Sequence, residues 1–445
     1  MNLRFTACAA LAALLGTAAV ASAETVAIVG GTVYPVSGPR IANGTVVIAN
    51  GRITAVGANV AIPAGARRID ARGKIVTPGF INASTTIGLT EVGGERTTRN
   101  GSARGIVNAD FESWESFFSE SPTIAATRED GITSVGIIPT GQFIAGQAAV
   151  MDMSDGTAAE MLRRPSVALV ATLQTTGRFN SDVDEMTSGA DTAGPAEATA
   201  PPLGRAEAIG ALRELIEDAR TYAAHRGAYD DGRLRGLAAS RRSLAALLRV
   251  AQGREPLILT ADRVDDIEAA IRLARDEHIH VIVDSGAEAW MIAPKLAAAH
   301  VGVITGAMNN IPTTFDTLNQ RQENAAILRR AGVDVTLVGN AGGGDEEGFN
   351  ARNVKFEAGN AVAYGMSHDD ALRAVTLAPA TMLGVADRVG SLAPGKDANI
   401  VVWSGDPFEF STNVEHVFVR GREYHDRSRQ DQLTARYRNL PPTRN

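Results

Sequence analysis

The rhythm of apolar and polar positions changes twice along this 445-residue chain. Between Thr25 and Gly73, short β-branched runs (Val26 to Val29, Thr32 to Tyr34, Thr45 to Ile48, Ile53 to Val56) are separated by Gly30-Gly31, Asn43-Gly44 and Asn50-Gly51. Such runs divided by Asn-Gly or Gly-Gly pairs predict hairpin strands. Beyond Gly73, apolar runs alternate with stretches of helical spacing. Strand candidates are Ile75 to Ile81, Ser134 to Ile138, Val167 to Ala171, Leu257 to Thr260, Val281 to Val283, Val301 to Ile304 and Val335 to Val338. Ile209, Leu212, Ile216 and Ala219 form one helical stripe, and Val264, Ile267, Ile271 and Ala274 form another. Ser367 and Asp370, ahead of Leu372 and Val375, predict a helix start with a capping box in which Asp replaces Glu.

Strands alternating with helices predict a parallel sheet. Their number and the chain length fit an α/β fold of the (β/α)8 TIM-barrel type with insertions; a doubly wound open sheet would show the same pattern. Strand-like runs return at Asn399 to Trp403 and Val414 to Val419, supplying what the N-terminal β region lacks. The expected organisation is a small composite β-sandwich from residues 24–73 and 386–424, a barrel over 74–385, and a tail over 425–445 that starts as a short helix.

Residues 1–23 combine Arg4, an apolar run from Ala7 to Val20 and the small residues Ala21-Ser22-Ala23, the pattern of a secretory signal peptide. The run is shorter than the roughly 20 residues of a membrane span, and no later run reaches that length. An exported protein, periplasmic or secreted and with no membrane span, is the expectation. The single cysteine, Cys8, lies in this leader, which excludes disulfides, thiolate catalysis and cysteine-bound zinc from the rest of the chain. The formal charge of −7, with acids and bases interspersed, argues against nucleic acid as a partner. Residues 178–204, rich in Ser, Thr, Ala, Gly, Pro and Asp, have no apolar periodicity and read as a long disordered loop or, alternatively, an interaction loop.

The stretch from Ile75 to Thr86, Ile-Val-Thr-Pro-Gly-Phe-Ile-Asn-Ala-Ser-Thr-Thr, resembles the entry into the barrel of the amidohydrolase superfamily, specifically its imidazolonepropionase-like branch. Pro139 to Val150 is similar to the loop after the second barrel strand in that branch, Asn360 to Gly384 to the region after the last strand, and Gly390 to Asn399 to the segment that closes its sandwich. The resemblance implies hydrolysis of non-peptide carbon–nitrogen bonds, such as cyclic amides, by a water activated on one or two divalent metals. It also implies the ligands: a His-x-His on strand one, a carboxylate or carbamylated Lys on a middle strand, a His on each of two further strands, and an Asp base on the last.

The residues at those positions differ. Where the family has Asp-x-His-x-His, this chain has Asn82, Ser84 and Thr86. No histidine precedes His225, and the lysines are Lys74, Lys295, Lys355 and Lys396, so the middle strands have none to carbamylate. His278 and His280 fall at the entry of a strand, the wrong end for a barrel site; His225 and His300 close helices, His368 opens one, and His416 and His425 belong to the C-terminal β region. The strand ends carry Thr260 and Asp262, Asp284, and Asn340, whose amide cannot act as a carboxylate base.

The expectation is therefore a family member with no intact catalytic residue and no metal ligand set, whose pocket candidates are Ser84, Thr86, Thr260, Asp262, Asp284 and Asn340. No cofactor is expected. It would act as a non-catalytic homologue, binding a small molecule or pairing with an active amidohydrolase homologue or a second copy of itself. The alternative is an active hydrolase in which Asp262 and Asp284 share a divalent metal through oxygen ligands alone. Gly342 to Glu347 is glycine-rich but lacks the Lys-Ser/Thr of a phosphate loop.

Overall fold

The structure, a computed structural model, describes residues 24–93, 95–103, 105–173, 203–308, 312, 314–339, 347–425 and 429–438. The expected leader, most of the 178–204 loop and Asn340 lie outside these residues.

Two eight-stranded sheets organise them. The first draws on both ends of the described chain: β1 (Val26–Val33), β2 (Ile41–Ala49), β3 (Arg52–Gly57), β4 (Arg67–Asp70) and β5 (Ile75–Pro78) join β14 (Ile400–Trp403), β15 (Val414–Val419) and β16 (Arg422–Tyr424). Its order is β16-β15-β14-β5-β1-β2-β3, with β4 also pairing β1. Val26, Ile28, Ile48, Ile53, Ile400, Val402 and Phe418 form its own apolar core.

Of the three predicted turns in this region, only one joins strands. Asn50 and Gly51, both at positive φ, form the two-residue loop between Ala49 and Arg52, as a type I′ hairpin requires. Gly30-Gly31 and Asn43-Gly44 lie inside β1 and β2, where the pairing shifts register around Gly31 and Gly44. The positive φ of Gly30 and Asn43 is used there for a bulge within one long strand rather than for a turn between two.

The second sheet is the barrel: β6 (Phe80–Thr85), β7 (Ile132–Ile137), β8 (Ile144–Asp152), β9 (Leu162–Thr172), β10 (Leu257–Ala261), β11 (Val281–Ser285), β12 (Gly302–Thr305) and β13 (Val335–Leu337), hydrogen-bonded in chain order. β13 comes back beside β6, so the sheet is nearly closed. At the seam, the Asn82 Nδ2 amide donates to the Ala351 carbonyl at 3.1 Å, and Asn350 O lies so close to Gly339 that a Cβ there would stand 2.4 Å away.

The expected all-parallel sheet is mixed. β8 runs antiparallel to both β7 and β9. All of it but Met151 and Asp152 falls in the stretch that resembles a loop, where Ala145, Gly146, Gln147 and Ala148 carry almost no β-branched signal. All nine of its residues are buried, Ile144, Gln147 and Met151 as fully as the alanines.

Inside the barrel, Ile81, Ala83, Ile258, Ile282, Ile304 and Val338 meet Ala380 of the helix Leu377–Met382 and Leu383, Val385 and Val389 of the segment that follows it, which together fill the floor. Outside, helices such as Arg205–Ala224, Arg241–Ala251 and Val264–Glu277 turn their stripes onto the sheet. The sheets meet where Pro78-Gly79 passes from β5 to β6. A Cβ on Gly79 would sit 2.1 Å from the Thr133 side chain, so only glycine allows this approach. Trp403, wholly buried, seals the junction: its Nε1 donates to Thr77 Oγ1 at 2.9 Å and its ring lies 5.0 Å from that of Phe80.

Candidate functional site at the barrel mouth

Register decides which side chains face the barrel interior. Ile258 and Ile282 point inward, so Thr260, Asp262 and Asp284, an even number of residues further on, share that side. Thr172, Thr260 and Asp284 are successive partners across β9, β10 and β11, forming one row near the C-terminal ends of the strands, and Asp262 stands one step beyond. The sequence-predicted pair of aspartates is thus brought onto one face of two adjacent strands. Thr172, a member of the same row, is missed by sequence reading because Val167 to Ala171 ends one residue short of it.

Ser84 and Thr86 lie on the far side of the mouth. Asn82 pairs with Val135 and Thr85 with Ile137, so three steps of β6 oppose two of β7, and this irregularity changes the parity of the strand end. Asn82 itself serves the seam: besides its bond to Ala351, its Oδ1 accepts the Ser84 N–H at 3.2 Å. Ser84 Oγ is buried with no hydrogen-bond partner among the described residues. Thr86 is covered by the segment at Gly348, whose position leaves a Cβ only 3.4 Å from the Thr86 carbonyl carbon.

All five described candidates are buried, from 1% exposure at Ser84 and Asp284 to 5% at Thr86 and Thr260. Asp262 is tied into the loop after β11, where its Oδ1 accepts the Ala287 N–H at 3.1 Å and its carbonyl accepts the Glu288 N–H at 2.9 Å. Other acids hold the neighbouring loops. Glu288 accepts the Val264 N–H at 2.9 Å and the Asn319 amide at 2.7 Å. Glu357, from the helix Val354–Ala363, accepts the N–H groups of Ala307 and Met308 at 2.6 and 2.8 Å. Neither is signalled in the sequence, because both are distant in the chain from the loops they hold.

Among the described residues, no histidine or cysteine stands at the C-terminal end of a barrel strand. His225 closes Arg205–Ala224 and His368 opens His368–Ala374, as the sequence predicts, whereas His278, expected at a strand entry, closes the helix Val264–Glu277 in a left-handed conformation. His280 and His300 line a cavity of about 410 Å³ with Gly302 and Met382, at the floor end of the barrel. A second cavity of about 550 Å³ lies between floor and composite sheet, lined by Arg52, Arg163, Arg388 and Asp397. Its charges are largely paired, and Asp397 is held below its ordinary range by Arg163 and Arg388 despite the opposing effect of burial.

This architecture, a barrel entered through Pro78-Gly79 and a sheet completed from the C-terminal side, can be set beside known proteins. The amidohydrolase family profile matches residues 238–424. An amidohydrolase from Thermotoga maritima superposes over 90% of this chain and 100% of its own, with a TM-score of 0.76 and 26% identity. The chain belongs to the amidohydrolase superfamily, in its imidazolonepropionase-like branch. Imidazolonepropionase from Thermoplasma volcanium is 31% identical over 137 residues, 29% of this amidohydrolase-family chain and 33% of that enzyme. The amidohydrolase tasK of Hapsidospora irregularis is 38% identical over 82 residues, 18% of this chain and 8% of that protein. The alignments with these curated relatives thus span a third of their length or less. No helix among the described residues is long and apolar enough to cross a membrane.

Proposed function

We propose that this amidohydrolase-family chain is a non-catalytic homologue, exported from the cytoplasm, that binds a small polar molecule at the barrel mouth or serves as a subunit beside an active relative. The observation that carries this reading is the donor set at the mouth. A catalytic zinc site takes three protein ligands, rich in imidazole, around an open position. Here the described inward positions offer the hydroxyls of Thr172 and Thr260 and the carboxylates of Asp262 and Asp284, and Asp262 already holds the Ala287 N–H. That set does not fit the metal the superfamily uses, so no step through a metal-bound water is derived. It suits a polar ligand, which hydroxyls and carboxylates position by hydrogen bonds.

One observation favours a second reading. Asp262 and Asp284 share one face of neighbouring strands, so an oxygen-only site for a hard cation has two of its ligands in place. The two readings separate in an assay of the purified mature protein on cyclic amides and dipeptides, with zinc, manganese, magnesium or calcium supplied in turn. No turnover above background under any metal is expected. Turnover that requires a metal and disappears in Asp262→Asn would overturn the non-catalytic reading.

A further inference from the structure

The composite sheet carries a group of side chains that the barrel chemistry does not use. β15 and β16 are antiparallel, with Val417 opposite Tyr424 and Phe418 opposite Glu423. Continuing that register by one residue sets His416 opposite His425. Residues two apart on a strand share a face, so Glu423 lies on the same side as both imidazoles. The side chains converge: Glu423 Oε1 is 2.6 Å from His416 Nδ1 and 3.0 Å from His425 Nε2, and one donor atom from each residue lies within 4.8 Å of the other two. Among the described residues, no other set of three or more His, Cys, Asp or Glu side chains converges in this way.

We propose that His416, Glu423 and His425 form a binding site for one first-row divalent metal ion, zinc foremost, remote from the barrel mouth. Two imidazoles and a carboxylate suit zinc, with water as the fourth ligand. Zinc bonds of about 2.0–2.1 Å place neighbouring donors roughly 3.3 Å apart. The two Glu423 contacts, at 2.6 and 3.0 Å, are within about 1 Å of that spacing, and the two imidazole nitrogens, no more than 4.8 Å apart, close to it by rotation of the mostly exposed His425 side chain.

The surroundings are arranged as around other metal sites. Arg67 binds the second oxygen, Glu423 Oε2, at 2.5 Å, which leaves Oε1 to face the histidines and fixes the carboxylate plane. The positive charge of Arg67 works against a cation nearby, and Glu24, 2.6 Å from its Nε, offsets it. Glu423 is nearly buried while His425 is mostly exposed, so an ion enters from the solvent side. Bound there, it would clasp the β15–β16 hairpin and, through Arg67, the facing strand β4.

The test is a zinc titration of the full mature chain, purified without a polyhistidine tag, against a competing chromophoric chelator, for the wild type and His425→Ala, Glu423→Gln and Asp284→Asn. One equivalent of zinc is expected for the wild type and for Asp284→Asn, with affinity falling at least tenfold in His425→Ala and Glu423→Gln. Absence of zinc binding in the wild type, or equal affinity in His425→Ala, overturns the proposal. The first of these outcomes leaves the reading of the barrel mouth standing, whereas zinc that survives His425→Ala and is lost in Asp284→Asn defeats both.

Discussion

Thr260 and Asp284 are direct partners on adjacent parallel strands, and their side chains therefore stand side by side on the inner face of the barrel. With Thr172 one strand further, the row near the C-terminal strand ends reads hydroxyl, hydroxyl, carboxylate. That is where a (β/α)8 enzyme places its chemistry. The consequences can be measured.

Restoring the histidines that the family has on its first strand should not create a hydrolase. In a Ser84→His/Thr86→His variant the donors from the other strands are still hydroxyls and aspartates, and the new imidazoles enter a crowded strand end beside Gly348. Turnover of cyclic amides at background level is expected, in assays with zinc or manganese added. Rescue by this pair alone would mean that the remaining ligands are already present.

Asp262 is expected to matter to stability. Asp262→Ala removes the acceptor of the buried Ala287 N–H, and leaving such a donor unsatisfied costs about 1–3 kcal/mol. Asp262→Asn keeps an oxygen in that place and should lie closer to the wild type. Urea denaturation of both variants reads the difference directly; equal losses would show that the charge, rather than the Ala287 bond, is what counts.

A buried ion network joins barrel and sheet. Asp152 on β8, wholly buried, is bound by Arg163 at 2.8 Å, by Ser134 Oγ at 2.7 Å and by Arg420, while Arg163 also reaches Asp397 at 2.8 Å. Asp152→Ala leaves the nearly buried Arg163 with Asp397 as its remaining carboxylate and takes the acceptor from Ser134 and Arg420, so the loss should be smaller than the roughly 3–5 kcal/mol of a buried charge left with no partner. The thermal midpoint should fall by several degrees, and a change within error of the wild type would contradict this role.

The pair of His368 and Asp406, 3.1 Å apart, predicts a pH dependence. The hydrogen bond to Asp406 raises the His368 pKa above its ordinary 6.5, so the stability this adds is complete below that pH and is lost as pH rises through the folded value. The bond to His368 lowers the Asp406 pKa below 3.8, so its share is complete above that pH and is lost as pH falls through the folded value. The pair thus contributes fully between about pH 4 and 6.5. Both groups are partly exposed, which limits the effect to about 1 kcal/mol. Unfolding profiles of His368→Gln should lack the decline that the wild type shows on the alkaline side.

Much of this could be read along the chain, and the rest fails for identifiable reasons. Most barrel strands with β-branched runs, such as Val281–Ser285, are found within a residue or two, whereas Leu162–Thr172 begins well before the run at Val167, and the run Ile75 to Ile81 divides between β5 and β6 in different sheets; the absence of histidine before His225 is plain from inspection. β8 escapes notice because its interior positions are Ala and Gly. Gly30-Gly31 and Asn43-Gly44 look like turns because positive φ serves bulges equally well. Asp262 and Asp284 are visible as strand-end acids, but their common face depends on a register that no local pattern supplies. His416 and His425 each look unremarkable alone; only the Arg420-Gly421 turn, by setting the pairing of β15 with β16, brings them to Glu423.

The central claim is that the barrel mouth holds no transition metal. It is tested most directly by elemental analysis of the wild type and of a His416→Ala/His425→Ala variant, both purified untagged after growth with zinc and manganese and without chelator. At most one equivalent is expected in the wild type and none in the variant. A variant that retains a near-stoichiometric transition metal, and loses it on Asp284→Asn, would contradict it.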